Sequence, residues 1–331
     1  MANAAPHEQA QLLLKQINPQ SWPICIDQLP EGTALVGGAV RDAFLGRHSQ
    51  HPDLDLVVPS DALRHTARLA KTFGGKRVVL DEQRDIARLV LKGWTIDLAR
   101  QEGHCLEDDL WRRDYSLNAI ALPLRPLAPL CDPTGGIDDL KRGRLRAVRE
   151  QNLIDDPLRL LRGLRLLAEI PLVLDTETGE WIQRHRQALV KSAPERILAE
   201  LQRLVKGTHA DHSLHLLKRW QLLQPWGTTP QTLSKHDTTL LHAAEVAVAL
   251  PLARLTNLIS DDGLKRLKAS KVLQQRCARL RHWILQAKQQ PEALPEQERL
   301  QLHLELEADL AALILGLPME LQRQLSLIHI S

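Results

Sequence analysis

Two carboxylates alternate with apolar residues in the segment Asp53–Val58, which reads DLDLVV. Because successive side chains of a β-strand point to opposite faces, Asp53 and Asp55 are predicted to share one face. Like charges held this close repel each other, and a hard divalent cation with oxygen ligands removes that repulsion. The spacing therefore predicts a metal site at Asp53 and Asp55, with Mg²⁺ as its natural occupant.

A double glycine, Gly37-Gly38, lies upstream of these acids and directly follows the apolar residues Leu35 and Val36. Backbone N–H groups at a glycine turn that leads into a helix can approach a phosphate closely. Alone, a glycine pair indicates only a turn, and two alternating acids indicate only a solvated strand end. Together they predict a metal clamp beside a phosphate cradle, which is the layout of a nucleotidyl-transfer site.

The composition of the 331-residue chain favours a mainly helical protein of two or three domains. Apolar residues make up 44%, enough for a real core, and the low aromatic content of 3% argues against a β-sandwich. The net charge of +3 is too small to indicate a nucleic-acid partner by itself. With no long apolar run and no signal-peptide pattern, we expect a cytoplasmic protein that does not contact a membrane. The cysteines show no metal-type spacing and are predicted to be reduced core thiols: Cys25, Cys105, Cys131 and Cys277.

Helices and strands around the acids follow from periodicity and turn residues. Asp97 lies in the last predicted strand between two apolar residues, and two interpretations stay open for it. It either faces water in an ordinary alternating strand or forms a third carboxylate near the metal. The predicted elements are helices at Gln9–Ile17 and Ser60–Lys71, and strands at Arg77–Leu80, Ile86–Leu91 and Trp94–Leu98, with a hairpin turn at Lys92-Gly93.

Three further segments carry charged or turn residues in notable patterns. Trp111–Ala121, WRRDYSLNAIA, places two arginines and an acid before an apolar run that is predicted to be helical. Asp132–Leu140, DPTGGIDDL, is typical of a turn or linker. From about Asn152 the chain is predicted to be helical, with Asp156 as the N-cap before Pro157.

An arginine stripe follows this cap, with one arginine at every third residue from Arg159 to Arg165. Cations at the start of a helix oppose its dipole, so helix propensity does not explain them. From Lys141 to Arg165 there are eight Lys or Arg and three Asp or Glu, a local net charge of +5. The stripe therefore predicts a bound anion.

In this order, the segments resemble the motifs of the class II tRNA nucleotidyltransferase and bacterial poly(A) polymerase family, within the DNA polymerase β-like nucleotidyltransferases. The resemblance covers Leu35 to about Leu204 and departs from the family pattern at Tyr115, where Phe or Leu is usual, and at Asp155, where Glu is usual. The matching stretches are GGAVRD with DLDLV, WRRDYSLNAIA, DPTGGIDDL, DDPLRLLRGLRL and ERILAEL.

The resemblance implies an α+β fold, a polymerase β-like nucleotidyltransferase head with a small mixed sheet followed by an all-helical neck and body. The third motif would join head and neck and flex between them. The implied domains are an N-terminal helix and connector over 1–30, a catalytic head over 31–145, a helical neck with the base pocket over 146–206, and a helical body and tail that binds tRNA over 207–331.

The resemblance also implies roles for single residues. A carboxylate accepts from the amino group of cytosine or adenine and a guanidinium donates to the ring, so one Asp and one Arg can select these bases without a template. That pair would be Asp156 and Arg159. The other implied residues are the catalytic carboxylates Asp53, Asp55 and Asp97, the first two holding Mg²⁺; the nucleotide-binding residues Gly37, Gly38, Arg41, Arg112 and Arg113; and Arg162 and Arg165, which line the nucleotide pocket.

The implied activity is template-independent transfer of CMP to the 3′-hydroxyl of tRNA lacking a complete CCA end. In the family, enzymes that add the terminal A carry a flexible loop between the third acid and the RRD motif. Here only fourteen residues, Leu98–Trp111, separate Asp97 from Arg112. We therefore expect a CC-adding enzyme that uses CTP, with a separate A-adding enzyme acting after it. A full CCA-adding enzyme that also uses ATP, a poly(A) polymerase, and a catalytically silent RNA-binding relative stay open as alternatives.

Overall fold

The computed structural model describes residues 6–47, 51–227, 238–289, 296–317 and 322. The chain divides into two compact units. The first comprises Met1–Asn152 and Val173–Thr178, and the second comprises Leu153–Leu172 and Gly179–Ser331. Within the described ranges, no helix combines the length and the apolar character needed to cross a bilayer.

The first unit is built on a six-stranded mixed sheet with the order β3-β4-β5-β2-β1-β6. Strands β2 and β5 run parallel, the other neighbours in this sheet are antiparallel, and β7 and β8 form a separate parallel pair. Its elements are α1 Pro6–Ile17, β1 Ala34–Val36, α2 Gly38–Phe44, β2 Leu54–Val58, α3 Ala62–Phe73, β3 Lys76–Asp81, β4 Ile86–Leu91, β5 Trp94–Arg100, α4 Leu106–Trp111, β6 Ala121–Pro123, α5 Gly136–Lys141, β7 Arg144–Leu145 and β8 Val173–Leu174. Helix α6, Glu150–Asp155, leads into the second unit.

Alternating side chains of β2 anchor the sheet. Leu54, Leu56 and Val58 are buried, as the alternation predicts, whereas Asp55 between them is only half-buried. Helix α3 packs against β3, β4 and β5. Its first N–H groups, at Ala62 and Leu63, donate to the carboxylate of Asp85 at 3.0 and 2.8 Å. The turn between β3 and β4 therefore caps the helix that covers the sheet.

The predicted strands and the hairpin turn are confirmed. Each strand lies within one or two residues of its predicted bounds, and Lys92 and Gly93 both have positive φ, at 50° and 82°. Two such residues in a two-residue loop match the twist of the strands they join. The turn therefore fixes which residues of β4 and β5 face each other.

The apolar run after the two arginines is not the predicted helix. A single 3₁₀ turn, Ser116–Asn118, is followed by β6, which pairs antiparallel with β1. The residues from Ala119 to Leu122 are all fully buried. A short apolar run that is buried throughout fits a strand as well as a helix, and apolar character alone does not separate the two.

The segment Asp132–Leu140 is also more ordered than the predicted turn or linker. The carboxylate of Asp132 accepts from the N–H groups of Gly136 and Ile137 at 2.7 and 2.8 Å and so caps α5. On the same helix, Asp139 is fully buried. Its carboxylate accepts from the Arg144 Nε at 2.6 Å, the Arg146 Nε at 2.9 Å and the Ser116 Oγ at 2.6 Å. The glycines of this motif thus form a helix start inside the first unit.

The described part of the second unit contains helices and no named strand. Helix α7 packs against α9 and α10, and α11 packs against α9, α13 and α15. The predicted α+β class, a head with a mixed sheet followed by helices, is confirmed. The elements are α7 Leu158–Glu169, α8 Thr176–Arg184, which begins in the first unit, α9 Pro194–Lys206, α10 Ala210–Arg219, α11 Ala243–Leu258, α12 Asp261–Arg266, α13 Lys271–Gln289, α14 Glu296–Leu306 and α15 Leu310–Gly316.

The cysteines are all free, but the prediction of four core thiols is wrong for two of them. Cys277 is buried and Cys131 is half-buried, whereas Cys25 and Cys105 are exposed. Burial raises the pKa of the Cys131 thiol to about 12, so this group stays protonated at neutral pH.

Gly136→Ala tests the packing of the capped helix start. A Cβ atom at Gly136 would lie 2.1 Å from the carbonyl oxygen of Ser116, and backbone cannot move aside cheaply. We expect a loss of about 2–4 kcal/mol in the free energy of unfolding, measured by urea denaturation. Gly46→Ala is the control, because nothing lies within 4 Å of its Cβ position and only its φ of 66° opposes the substitution. An equal loss in both variants would contradict the packing argument.

Candidate active site

The parallel pairing of β2 and β5 brings two of the predicted carboxylates to the same register. Asp55 is paired with Asp97 across these strands, and on its other side Asp55 is paired with Val36 of β1. Residues directly opposite each other in a sheet share a face, so the two acids are side by side. Asp53 immediately precedes β2 and is exposed. The three acids predicted from the sequence thus lie on β2 and β5 or beside them.

Asp97 has a cationic partner that the sequence analysis did not identify. Arg88 on β4 is paired with Asp97, and its Nε and Nη2 atoms donate to the two carboxylate oxygens at 2.8 Å each. The hydrogen bonds that Arg88 donates to Asp97 raise the pKa of Arg88, and the charges of Asp97, Asp53 and Asp55 raise it further. The two open interpretations of Asp97 were a carboxylate that faces water and a third carboxylate near the metal. Neither of them included an ion pair with an arginine of the sheet.

The glycine turn allows the Asp55 carboxylate to approach the backbone. Gly37 has a φ of 74°, and a Cβ atom built there would lie 3.0 Å from the Asp55 Oδ2. Only glycine combines that conformation with that contact. Two oxygen-donor carboxylates next to a turn without side chains suit Mg²⁺, which binds through one or two carboxylates and substrate phosphates. Among the residues that the structure describes, no group of three or more His, Cys, Asp or Glu is placed to hold a metal.

Gly38 begins α2, whose N-terminus receives no side-chain cap from Gly37. Arg41, on the same helix, is only 6% exposed. Its Nε and Nη2 atoms donate to the two oxygens of Asp42 at 3.0 Å, and its Nη1 donates to the Asn118 Oδ1 at 2.7 Å. The predicted phosphate ligand therefore lies inside the protein, where it joins the glycine turn to the segment after the two arginines.

The adjacent arginines Arg112 and Arg113 follow α4 and have different surroundings. The Nε and Nη2 atoms of Arg113 donate to the Asp109 Oδ2 at 3.1 and 2.9 Å, and the side chain is 24% exposed. The Arg112 side chain is 61% exposed, with Nη2 2.6 Å from the Glu102 Oε2. The other Asp109 oxygen accepts from the N–H of Glu102 at 3.1 Å. Arg112 is thus tied to the segment before α4, and Arg113 to α4 itself.

In the second unit, Asp156 performs the predicted capping. Its Oδ1 accepts from the N–H of Leu158 at 3.3 Å, its carbonyl accepts from the N–H of Arg159, and its Oδ2 lies 3.3 Å from the Arg196 Nη2. Pro157 already has helical φ and ψ, so α7 begins where the sequence predicts. Asp156 and Arg159 stand at the two ends of this first turn and are both half-buried.

The arginine stripe of α7 is partly neutralised by the protein itself. Arg165 is 4% exposed, with its Nη1 2.6 Å from the Glu169 Oε2 and its Nε 2.6 Å from the Glu200 Oε2. The second contact is Coulombic, since the Nε–H does not point along a hydrogen bond. Arg162 is 3.9 Å from Glu200 and 35% exposed. For Arg165, the anions that lie next to the guanidinium are therefore the carboxylates of Glu169 and Glu200.

These glutamates and Arg88 could have been found in part from the sequence. Glu169 lies four residues after Arg165, the usual spacing of a helical ion pair. Glu200 lies in the fifth motif on α9, and only the packing of α9 against α7 brings it to the stripe. The roles predicted for the site residues toward nucleotide and metal stay predictions.

The mixed sheet with paired carboxylates on adjacent strands, next to a glycine turn into a helix, is the arrangement that the sequence resemblance predicts for a nucleotidyltransferase head. The family described as "Poly A polymerase head domain" matches residues 33–146, and the one described as "Probable RNA and SrmB- binding site of polymerase A" matches residues 172–228. The resemblance to the class II tRNA nucleotidyltransferase and poly(A) polymerase family is thereby confirmed over these two segments.

Similar proteins carry the names of CC-adding, A-adding and CCA-adding enzymes. A CC-adding tRNA nucleotidyltransferase of Synechocystis sp. is 42% identical over 209 residues, covering 62% of this chain and 50% of the relative. An A-adding tRNA nucleotidyltransferase of Deinococcus radiodurans is 38% identical over 199 residues, covering 59% of this chain and 44% of the relative. The chain thus spans about half the length of these curated relatives.

Solved structures share the fold at lower identity. The Thermotoga maritima CCA-adding enzyme complexed with tRNA_CCA is 21% identical, with a TM-score of 0.70. The match covers 97% of this chain and 85% of that one. At this identity the likeness establishes the architecture of the protein.

Arg165→Met and Arg162→Met should separate the buried ion pairs from the exposed side of the stripe. Removing Arg165 leaves two glutamates without their central cation, which we expect to cost about 3–5 kcal/mol of unfolding free energy. Removing the more exposed Arg162 should cost about 0–1 kcal/mol. Urea denaturation of both variants measures the difference. Similar small losses would show that Arg165 is not a structural cation.

Proposed function

We propose that the protein is a Mg²⁺-dependent, template-independent nucleotidyltransferase that adds CMP to the 3′ end of tRNA lacking a complete CCA. The match to the polymerase head over residues 33–146 supports the reaction class, and the match to an RNA-binding segment over 172–228 supports an RNA substrate. The name of the Synechocystis relative supports CC addition.

The first unit would bind the metal and the triphosphate. Asp53 and Asp55 would hold Mg²⁺, which would lower the pKa of the attacking 3′-hydroxyl and offset the negative charge of the triphosphate. The uncapped N–H groups at Gly37-Gly38 and the partly exposed Arg112 and Arg113 would hold phosphate oxygens. Because Arg41 is buried and paired, its role would be to hold the glycine turn in place.

The second unit would select the base. Asp156 is held by the Leu158 N–H and by Arg196, and Arg159 follows one turn later. A carboxylate fixed in this way accepts from the exocyclic amino group of cytosine, and uracil presents an acceptor at the same position. Arg162, which is partly exposed, would line the same pocket. Arg165 would brace α7 from inside.

The segment between β5 and α4 supports addition of CC without A. Only Gln101–Cys105 lie outside those elements, where the resemblance leads us to expect a longer flexible loop in enzymes that add A. The Gln101 N–H donates to the Val58 carbonyl at 2.7 Å, and the His104 N–H donates to the Asp108 carboxylate at 2.9 Å. With Glu102 tied to Asp109 and Arg112, the segment has little freedom to remodel a pocket for adenine.

The partners follow from this reaction. CTP would be the nucleotide substrate, and a separate A-adding enzyme would complete the CCA end. We propose that residues 207–331 contact the tRNA and that the enzyme acts in the cytoplasm, where the four free thiols stay reduced. The predicted boundaries at 30, 145 and 206 belong to the same proposal.

Three tRNA substrates test the function. With Mg²⁺ and labelled CTP or ATP, we expect two CMP additions to tRNA lacking CCA, one addition to tRNA ending in C, and no AMP addition to tRNA ending in CC. Gel electrophoresis at single-nucleotide resolution measures the products. Asp53→Ala is the inactive control, because it removes a proposed metal ligand at an exposed position.

Other products would identify the alternatives. Efficient addition of one A to tRNA ending in CC would establish an A-adding or CCA-adding enzyme. Long A tracts on unrelated RNA would establish a poly(A) polymerase. Incorporation no greater than that of Asp53→Ala would indicate a catalytically silent relative that binds RNA.

Asp156→Ala and Arg159→Ala test base selection. Loss of one good base contact should reduce the preference for CTP over UTP by about 10- to 100-fold in kcat/KM, while each triphosphate still binds. Steady-state kinetics with both nucleotides measure the ratio. Arg196→Ala removes the ion-pair partner of Asp156 and keeps the carboxylate, so it should lower the preference for CTP less than Asp156→Ala does. Unchanged selectivity in both test variants would refute the assigned role.

A further inference from the structure

Arg88 stands in one row with two of the three acids. The pairing of three adjacent strands places Arg88 of β4 opposite Asp97 of β5, and Asp97 opposite Asp55 of β2. Residues opposite each other in neighbouring strands share a face. The guanidinium of Arg88 therefore places a positive charge on the face of the sheet that carries Asp97 and Asp55.

The pair changes the charge that a metal would meet. Each oxygen of Asp97 accepts from a different nitrogen of Arg88, in the bidentate geometry that is strongest for this combination. Asp97 is thereby compensated, and Asp53 and Asp55 remain as the two carboxylates for a divalent cation. Two carboxylates bind Mg²⁺ weakly unless phosphates supply further ligands.

We infer that Arg88 is a positioning residue that keeps Asp97 out of the metal coordination, so that divalent cations bind firmly only together with the triphosphate. This inference rests on the proposed function, since it assumes that Asp53 and Asp55 hold the metal. In the protein without nucleotide, Arg88 occupies both oxygens of Asp97, which would otherwise be available as a third carboxylate ligand. The metal would enter the site with CTP.

A purely structural role for Arg88 fits the surroundings less well. Strands β4 and β5 are already paired continuously from Leu91 and Trp94 at the hairpin to Ile86 and Ala99. The Arg88 side chain is 41% exposed, and an ion pair at such a position adds little to stability. The charge of Arg88 therefore matters more for its neighbours than for the fold.

Mn²⁺ binding to the full chain without nucleotide, followed by electron paramagnetic resonance, tests the inference. In Arg88→Met the uncompensated Asp97 should tighten Mn²⁺ binding about tenfold, because one positive charge near a divalent ion has been removed. The charge-balanced double variant R88M/D97N should bind Mn²⁺ as the wild type does. Arg88→Lys, which keeps the charge but not the fork, should fall between the wild type and Arg88→Met.

Circular dichroism and the unfolding midpoint establish that each variant is folded. Unchanged or weaker Mn²⁺ binding by Arg88→Met would overturn the inference, and so would equally tight binding by R88M and R88M/D97N. If Arg88→Met does not fold, Arg88→Lys decides, and the absence of any tightening in it is the contradicting result. CMP transfer by the wild type is measured separately, so failure of the proposed function remains distinguishable from failure of this inference.

Discussion

The pairing of two acids at the same register of β2 and β5 is the constraint on which the first unit depends. Asp55 and Asp97 are adjacent on one face of a sheet, where like charges repel unless cations compensate them. A neighbouring strand and a glycine turn reduce this repulsion or make room for the carboxylates. Arg88 compensates Asp97 from β4, and Gly37 leaves the Asp55 carboxylate room beside β1 because it has no side chain. Polar groups thus concentrate on one face of a sheet whose interleaved leucines are buried.

The arginines of the candidate site range from buried to exposed, and only their surroundings distinguish them. Arg41 and Arg165 are buried and satisfied by acids of the protein. Arg112 is largely exposed although it too is near a carboxylate, and Arg113 and Arg162 lie between these extremes. A buried, paired arginine cannot turn toward a ligand without leaving charged partners uncompensated. Positive charge on a motif therefore indicates an anion site only where the guanidinium reaches solvent.

Much of the fold and part of the site could be predicted from the sequence, because both depend on local patterns. Counting outward from the Lys92-Gly93 turn pairs Leu91 with Trp94 and Arg88 with Asp97, so even the missed ion pair was within reach of hairpin geometry. The parallel register of Asp55 and Asp97 could not be counted in this way, since the connection between β2 and β5 includes a helix and two other strands. The run after Arg113 misled because four apolar residues fit a buried strand as well as a helix. The burial of Asp139 and the contact of Glu200 with Arg165 depend on how distant segments pack.

Because the short strand β8 belongs to the first unit, the two units are not two successive segments of the chain. After Asn152 the chain enters the second unit, returns for Val173–Thr178 and then leaves again. In the return, the Val173 N–H donates to the Gly143 carbonyl, and the Ala147 N–H donates to the Thr178 Oγ1 at 2.9 Å. Residues 153–172 of the second unit are therefore an insertion in the sequence of the first unit, which they join at both ends. A gene truncation at the end of α6 would remove strand β8 from the first unit, so an independently folding first unit has to extend at least to Thr178.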